Sequence, residues 1–411
     1  MPDHFDLIVV GAGSGGSNAA AAALEGGLSV AQIDAQRFPR VKPCAGGITI
    51  KAATALHGQL AGSVRRRFSA VDFSAWGGRA NRFAHRSEMM MMVARPEFDE
   101  SLVRQNQTKS EFIFFDGEPV TDVRFTDTTF HVTTSKRQLT ARQLIGADGA
   151  YSVVNKRFKI SRPMAVAVAI EINLPASTAS PASVAVPCFD FGVLPKGYGW
   201  VFPKDDHFSV GLYTFERGLR DLRRRLVDYA RAKGFNAGPE RSLHFEAHQL
   251  PVGGHRLKVP EVPVYLVGDA GGFADALTGE GIYHALESGR LAGRVAADVA
   301  DGTARHTRYY DDLWSSVLSD TYISYHLAAV LYRNPRRAIR LLELPFVWRP
   351  FVLGYAEGAT VRTILMRGGG DFVRSLFLRS ITRTVVPYPL GDDDRVRYRE
   401  PERKTETAPW P

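Results

Sequence analysis

"FDLIVVGAGSGGSNAAAAALEGGLSVAQIDAQ", residues 5 to 36, carries the pattern on which the fold turns. Phe5 to Val10 is an unbroken apolar run, as in a strand buried on both faces. It leads directly into Gly11-Ala12-Gly13-Ser14-Gly15-Gly16, an alanine-rich helical stretch follows, and Gly26-Gly27 stops it. A second apolar strand, Leu28 to Ile33, ends in Asp34, about 20 residues past Gly11, the spacing of a dinucleotide-binding unit. Each position has a physical task. Gly11 makes the tight turn, Gly13 admits a pyrophosphate to the backbone, and Gly16 lets helix and strand pack closely. Ser14 and Gly15 open the helix, whose free N–H groups and positive end favour phosphate. Asp34 would accept from a ribose hydroxyl. The fingerprint alone leaves open whether the ligand is FAD or a nicotinamide nucleotide.

Two later stretches bear on that choice. "QLIGADGAYSVV", residues 143 to 154, delivers Asp148-Gly149 from a strand end, with Ser152 just beyond. "VYLVGDAGGFADALTGEGIYHALESG", residues 264 to 289, delivers Gly268-Asp269 and then Gly279-Glu280-Gly281-Ile282 before a helix. An aspartate at such a strand end can bind a ribityl or pyrophosphate-side hydroxyl. Amides at Gly281-Ile282, on a helix N-terminus, can face the flavin edge where negative charge accumulates. Here the chain resembles the glutathione-reductase-type, p-hydroxybenzoate-hydroxylase-like FAD enzymes, which share these DG and GD patterns. The resemblance implies FAD in the dinucleotide site, contacted at Asp148, Gly149, Gly268, Asp269, Gly279, Gly281 and Ile282. It implies that Arg95, in an R-x-x-F-D stretch completed by Phe98-Asp99, reaches the cofactor, and that Val120 touches the adenine.

"RVKPCAGGIT", residues 40 to 49, narrows the resemblance to the geranylgeranyl reductase family, whose members carry a K-x-C-G-G-like turn beside the flavin. By that likeness Lys42, Cys44, Ala45 and Gly47 join the cofactor set. The family's Y/W-x-W-x-F-P strand has its counterpart in Tyr198-Gly199-Trp200-Val201-Phe202-Pro203. A strand alternates faces, so Tyr198, Trp200 and Phe202 project together, toward a core or a substrate. The family implies a substrate, with Pro203 in the same motif. A prenyl chain offers only methyls and C=C bonds, so its affinity must come from apolar area, at about 25 cal/mol per Å². The implied reaction is hydride transfer from reduced FAD to one alkene carbon and a proton to the other. Cys44 is the sequence-visible candidate for a catalytic, proton-donating or gating side chain. NAD(P)H or another reductant would serve as transient donor. Two departures stand out: Asp275-Ala276 where the family carries proline before L-T-G-E-G, which should loosen that loop, and Ala45 where it carries glycine.

The expected fold is α/β: a Rossmann-type FAD-binding domain (1–64 with 89–160 and 262–302), an inserted antiparallel-sheet α+β substrate domain (65–88 with 161–261), and a helical C-terminal region (303–390). A disordered charged tail is expected over 391–411. Met89 to Met92 read as a strand packed on both faces, and Cys188 as structural.

The chain of 411 residues carries 52 Lys and Arg against 43 Asp and Glu, a formal charge of +9. Clusters such as Arg223-Arg224-Arg225 and Arg336-Arg337 suit an anionic membrane surface or an acidic electron-donor protein. No aromatic-interleaved basic motif argues for nucleic acid. Cys44 and Cys188 build neither a disulfide framework nor a metal site. With no signal peptide and no apolar run near ~18 residues, a cytoplasmic protein is expected, with possible membrane association through its C-terminal helices. Two other classes remain open: a flavin monooxygenase or halogenase, which shares DG and GD but whose W-x-W-x-I-P signature is absent, and a non-enzymatic flavin-binding assembly protein.

Overall fold

The opening stretch folds as β1 (His4–Val10), α1 (Ser14–Glu25) and β2 (Val30–Ile33). In the computed structural model, which describes residues 3–367 apart from 57, 59, 61, 181–183, 255 and 343, β1 pairs in parallel with β2 and with β11 (Gln138–Gly146). β8 (Phe112–Phe115) extends the sheet beyond β2, and β17 (Val264–Leu266) pairs in parallel with the end of β11. On the other edge β10 (Thr129–Thr134) and β9 (Val120–Thr126) run antiparallel, completing a seven-stranded sheet. Leu7, Ile8 and Val9 are fully buried, as their unbroken apolar run requires. α1 packs against α6 (Ile282–Ala300), so the first and last motifs of the chain meet.

A second seven-stranded sheet runs β16 (Glu246–Val252), β12 (Ala165–Pro175), β15 (His207–Thr214), β14 (Gly197–Pro203), β13 (Cys188–Phe191), β5 (Ala70–Ala75), β6 (Asn81–Ala84). All its pairings are antiparallel except β13 with β5. α5 (Leu222–Ala232) packs on β12 and β15. A Cβ on Gly199 would lie 2.6 Å from the Tyr229 ring of α5, so the glycine admits that tyrosine on the strand's outer face. A small third sheet joins β3 (Gly47–Thr49), β7 (Met90–Val93) and β4 (Val64–Phe68). The expected boundary at residue 65 therefore cuts a strand: β4 pairs with β7, and only β5 and β6 of that segment enter the large antiparallel sheet. Met90 to Met92 are buried on both faces of β7, Met90 and Met92 toward one core and Met91 toward another, with Met89 buried just before the strand.

The remaining helices are α2 (Ile50–Ala55), α3 (Arg95–Asn106), α4 (Val153–Phe158), α7 (Arg308–Leu313), α8 (Ser319–Arg333), α9 (Pro335–Leu342), α10 (Pro345–Ala356) and α11 (Val361–Arg367). The part of the expected helical C-terminal region beyond residue 367 and the tail over 391–411 lie outside the described residues. Among the described residues no helix is long and apolar enough to cross a membrane.

Candidate active site

A cavity of about 1070 Å³ is lined by Gly13 to Gly16, by the 42–47 turn, by Gly268-Asp269 and by the inner face of β14. At its nucleotide end Gly11 takes φ +104°, and a Cβ on Gly16 would lie 2.1 Å from the Gly11 carbonyl oxygen. Both positions therefore demand glycine. No side chain caps the helix that starts after Gly13, and no acidic residue occupies its first turn. Its amides and positive end remain available to a pyrophosphate, which fits the dinucleotide of FAD.

Asp34 stands behind this turn. Its carboxylate accepts from the Ala12 N–H at 2.9 Å and the Gln36 N–H at 2.9 Å. Arg40 bridges it, at 3.4 Å, to Asp99 at 3.3 Å, and Asp99 holds Arg95 in a fork at 2.9 Å. Asp34 and Arg95, read separately in the sequence, belong to one buried charge chain whose link, Arg40, the motif reading passed over. Only Arg95 of these four lines the cavity. Its guanidinium also faces the Cys44 sulfur.

The 42–47 turn forms the floor. Cys44 Sγ accepts from the Gly46 N–H at 3.4 Å, and Lys42 Nζ lies 3.9 Å from Asp269. His248 Nε2, buried and without a hydrogen-bond partner among the described residues, lies 3.7 Å from the same carboxylate. Burial alone would raise Asp269, but His248 and Lys42 outweigh it and bring the carboxyl to about 2. Asp148 is differently employed. Its carboxylate accepts from Ser152 Oγ at 2.5 Å and from the Val153 N–H at 2.6 Å, capping α4, and it does not line the cavity, although Gly149 does. Burial pushes the Asp148 carboxyl up. Val120 opens β9, away from the cavity, half-buried against the parallel-sheet core.

The Gly279-Glu280-Gly281-Ile282 segment also lines the cavity. The expected loosening by Asp275 gives way to the reverse. The Asp275 carboxylate accepts from the Thr278 N–H at 2.7 Å and Thr278 Oγ1 at 2.9 Å, so it braces the turn in place of a proline. Three tyrosines grip the same turn by its carbonyls: Tyr198 on Thr278, Tyr213 on Ala276 at 3.2 Å and Tyr332 on Leu277 at 2.7 Å. Burial pushes the hydroxyls of Tyr198, Tyr213 and Tyr332 up, so they act as neutral donors.

Tyr198, Trp200 and Phe202 do share one face, with ring centres 6.2 and 6.4 Å apart, and all three line the cavity. Pro203 does not: strand alternation turns it away with Gly199 and Val201. Phe73, Phe189 and Phe191 from the neighbouring strands complete the wall, residues that no local motif marks. Across the same face the register runs Phe73, Phe189, Trp200, Gly211, Glu171, Glu246. The wall passes from aromatic to acidic along a single row. Cys188 is buried off this wall, its thiol pushed up to about 12 by burial first and by Asp190 second.

The chain is 30% identical to the menaquinone reductase of Mycobacterium tuberculosis, over 96% of this chain and 94% of that protein. It is 30% identical to the geranylgeranyl diphosphate reductase of Rhodobacter capsulatus, over 71% of this chain and 75% of that one. Among solved structures, a geranylgeranyl bacteriochlorophyll reductase-like protein of Thermoplasma acidophilum superposes with a TM-score of 0.74 at 18% identity, covering 93% of this chain and 100% of that one. A flavin-dependent brominase shares the fold at a TM-score of 0.71 and 15% identity, covering 92% of this chain and 100% of its own. No protein-family model matches the chain.

Proposed function

The chain belongs to the geranylgeranyl reductase family of FAD-dependent flavoproteins, and on that premise we propose that it saturates C=C bonds of a prenyl chain. One observation carries the reading: the rings of Phe73, Phe189, Phe191, Tyr198, Trp200 and Phe202 belong to the wall of a cavity that is continuous with the glycine-rich nucleotide cradle. Such a wall gives apolar area and flat faces to a ligand that has no polar handle along its length.

The residues present fit FAD: Gly13 to Gly16 would hold its pyrophosphate, and the 42–47 turn, Asp269 and Gly281-Ile282 would hold its ring. When bound and reduced, it supplies the hydride. The chain's own residues do the rest. Trp200 and its neighbours exclude water and align the alkene, the Cys44 turn gates the ring face, and Lys42 with His248 fixes the charge on Asp269. NAD(P)H, or an acidic donor protein drawn to the basic surface, is the proposed source of electrons. At the outer end the cavity is lined by Val330, Leu341 and Leu344, all exposed, beside Arg333 and Arg337. That mouth supports contact with an anionic lipid surface, where prenyl substrates reside.

The test is direct. The purified protein, yellow with FAD and reduced anaerobically by dithionite, should convert a geranylgeranyl lipid to products heavier by one H2 per saturated bond. Oxygenated product formed only in air would replace this reading with a monooxygenase.

A further inference from the structure

Glu171 belongs to none of the motifs that define the nucleotide or aromatic sites, yet it lies on the cavity wall, 4% exposed, in register with Gly211 of β15. Trp200 lies over that glycine: a Cβ on Gly211 would sit 2.0 Å from the indole ring. The indole Nε1–H donates to Ser209 Oγ at 3.1 Å, and Ser209 donates to Glu171 Oε2 at 2.8 Å. The carboxyl is thereby tied to the side chain at the centre of the aromatic wall. On its other side it meets the backbone of the Cys44 turn.

We propose that Glu171 is the general acid of this cavity, giving its proton to the alkene carbon that does not receive the hydride. The inference rests on the prenyl-reductase reading and names the acid that reading requires. The carboxyl O–H bond breaks and a C–H bond forms. The reductant is reduced FAD, whose hydride brings both electrons; the proton brings none, and Glu171 is left as carboxylate. Lys204, 8% exposed and packed against Gly46 of the same turn, stands near that carboxylate, as do the Ser209 hydroxyl and the Cys44 amide.

The surroundings raise the proton affinity of this carboxyl above the ordinary value. Burial pushes Glu171 up, Glu246 from β16 adds to that, and Ser209, Lys204 and the Cys44 amide oppose it. Lys204 is itself pushed down by burial, with Arg95 of α3 acting the same way and Glu171, Cys44 and Glu246 opposing. Both shifts run toward the neutral forms of the pair. Glu246, opposite Glu171 in the ladder, lies 3.7 Å from exposed His244, so the acidic row leads from Glu171 toward solvent.

Glu171→Gln keeps the shape and the acceptor for Ser209 but removes the acid. Its reduced flavin should be reoxidised by a geranylgeranyl lipid at least ~100-fold more slowly than in the parent protein, the lower end for general acid catalysis. Flavin content and melting temperature should be unchanged, and Glu171→Asp should recover part of the rate. A second readout needs no turnover. The infrared difference spectrum of parent minus Glu171→Gln at neutral pH should contain a protonated-carboxyl carbonyl band that shifts in D2O. A parent protein active on the lipid whose Glu171→Gln variant stays within twofold, or lacks that band difference, overturns this inference alone. A parent protein inactive on every prenyl lipid overturns the functional reading and this inference with it.

Discussion

Burial alone would raise the Asp269 carboxyl, yet Lys42 at 3.9 Å and His248 at 3.7 Å reverse the shift and hold it at about 2. The folded value lies below the ordinary carboxyl value of 3.8, so the group binds a proton less readily in the fold than in the open chain. Its contribution is complete above about pH 4 and is lost as the pH falls through about 2. At about 1.4 kcal/mol per unit it amounts to roughly 2 kcal/mol. Asp269→Asn should therefore melt lower than the parent at pH 7, and chemical denaturation down to pH 2 should bring the two curves together. A gap that does not narrow would mean that Asp269 stabilises by packing rather than charge. At this scale the sequence discloses residues whose task is local. Gly11, Gly16 and Asp34 fall at fixed offsets along one strand–turn–helix unit, so spacing alone marks them. Glu171, Ser209 and Arg40 have no such offset; each becomes meaningful only when a strand or turn distant in sequence is brought alongside.

The row across β13, β14, β15 and β12 makes the aromatic wall a property of several elements rather than of one motif. Gly211→Ala would place a methyl carbon 2.0 Å from the Trp200 ring, so the ring must leave its place. Overpacking of this kind costs about 1–3 kcal/mol. A lowered melting temperature and a shifted tryptophan emission, with FAD still bound, are expected, together with about tenfold weaker retention of a prenyl lipid. Unaltered lipid retention would show that the slot does not depend on Trp200.

Helices meet the Gly279-Glu280-Gly281-Ile282 turn through a second buried device. Lys51 of α2 lies 2.9 Å from Glu280 and 4.0 Å from Asp320 of α8, and His284 of α6 lies 3.5 Å from Asp320. Burial works against the Lys51 cation, but the two carboxylates raise its proton affinity above the ordinary value. Lys51→Met would leave Glu280 without its cation and should cost about 3–5 kcal/mol, read by denaturant unfolding. Adding Glu280→Gln should recover part of the loss; no recovery would locate the damage elsewhere. The β1–α1–β2 unit was legible because its period and punctuation are local. The three-stranded sheet of β3, β4 and β7 was not, since its members are short and are paired by tertiary packing.

For the molecule as a whole, the order of motifs along the chain already implied that one domain is interrupted by another. β1, β2, β11 and β17 reassemble from segments more than a hundred residues apart into one parallel sheet, with the antiparallel sheet formed largely by the chain between β11 and β17. What spacing could not give is the direction in which the cavity opens, because that depends on how α8 to α11 settle over it. Among the described residues the mouth lies beside α9, where Arg336, Arg337 and Arg340 are exposed next to Leu341, itself 48% exposed. Each basic residue near an anionic bilayer contributes about 1 kcal/mol, and the contribution falls within a Debye length of ~10 Å at 0.1 M salt. The protein should therefore co-sediment with vesicles containing anionic lipid at low salt and release progressively as salt rises. Replacing the three arginines by glutamate should weaken that binding at least tenfold while leaving FAD content intact. Leu341→Ser should weaken it without altering the salt dependence, since it removes apolar insertion and no charge. Equal binding of the parent protein to neutral and anionic vesicles would assign the mouth to a purely apolar contact. A parent protein that binds neither would mean that its substrate reaches the cavity from solution, carried by something other than the bilayer.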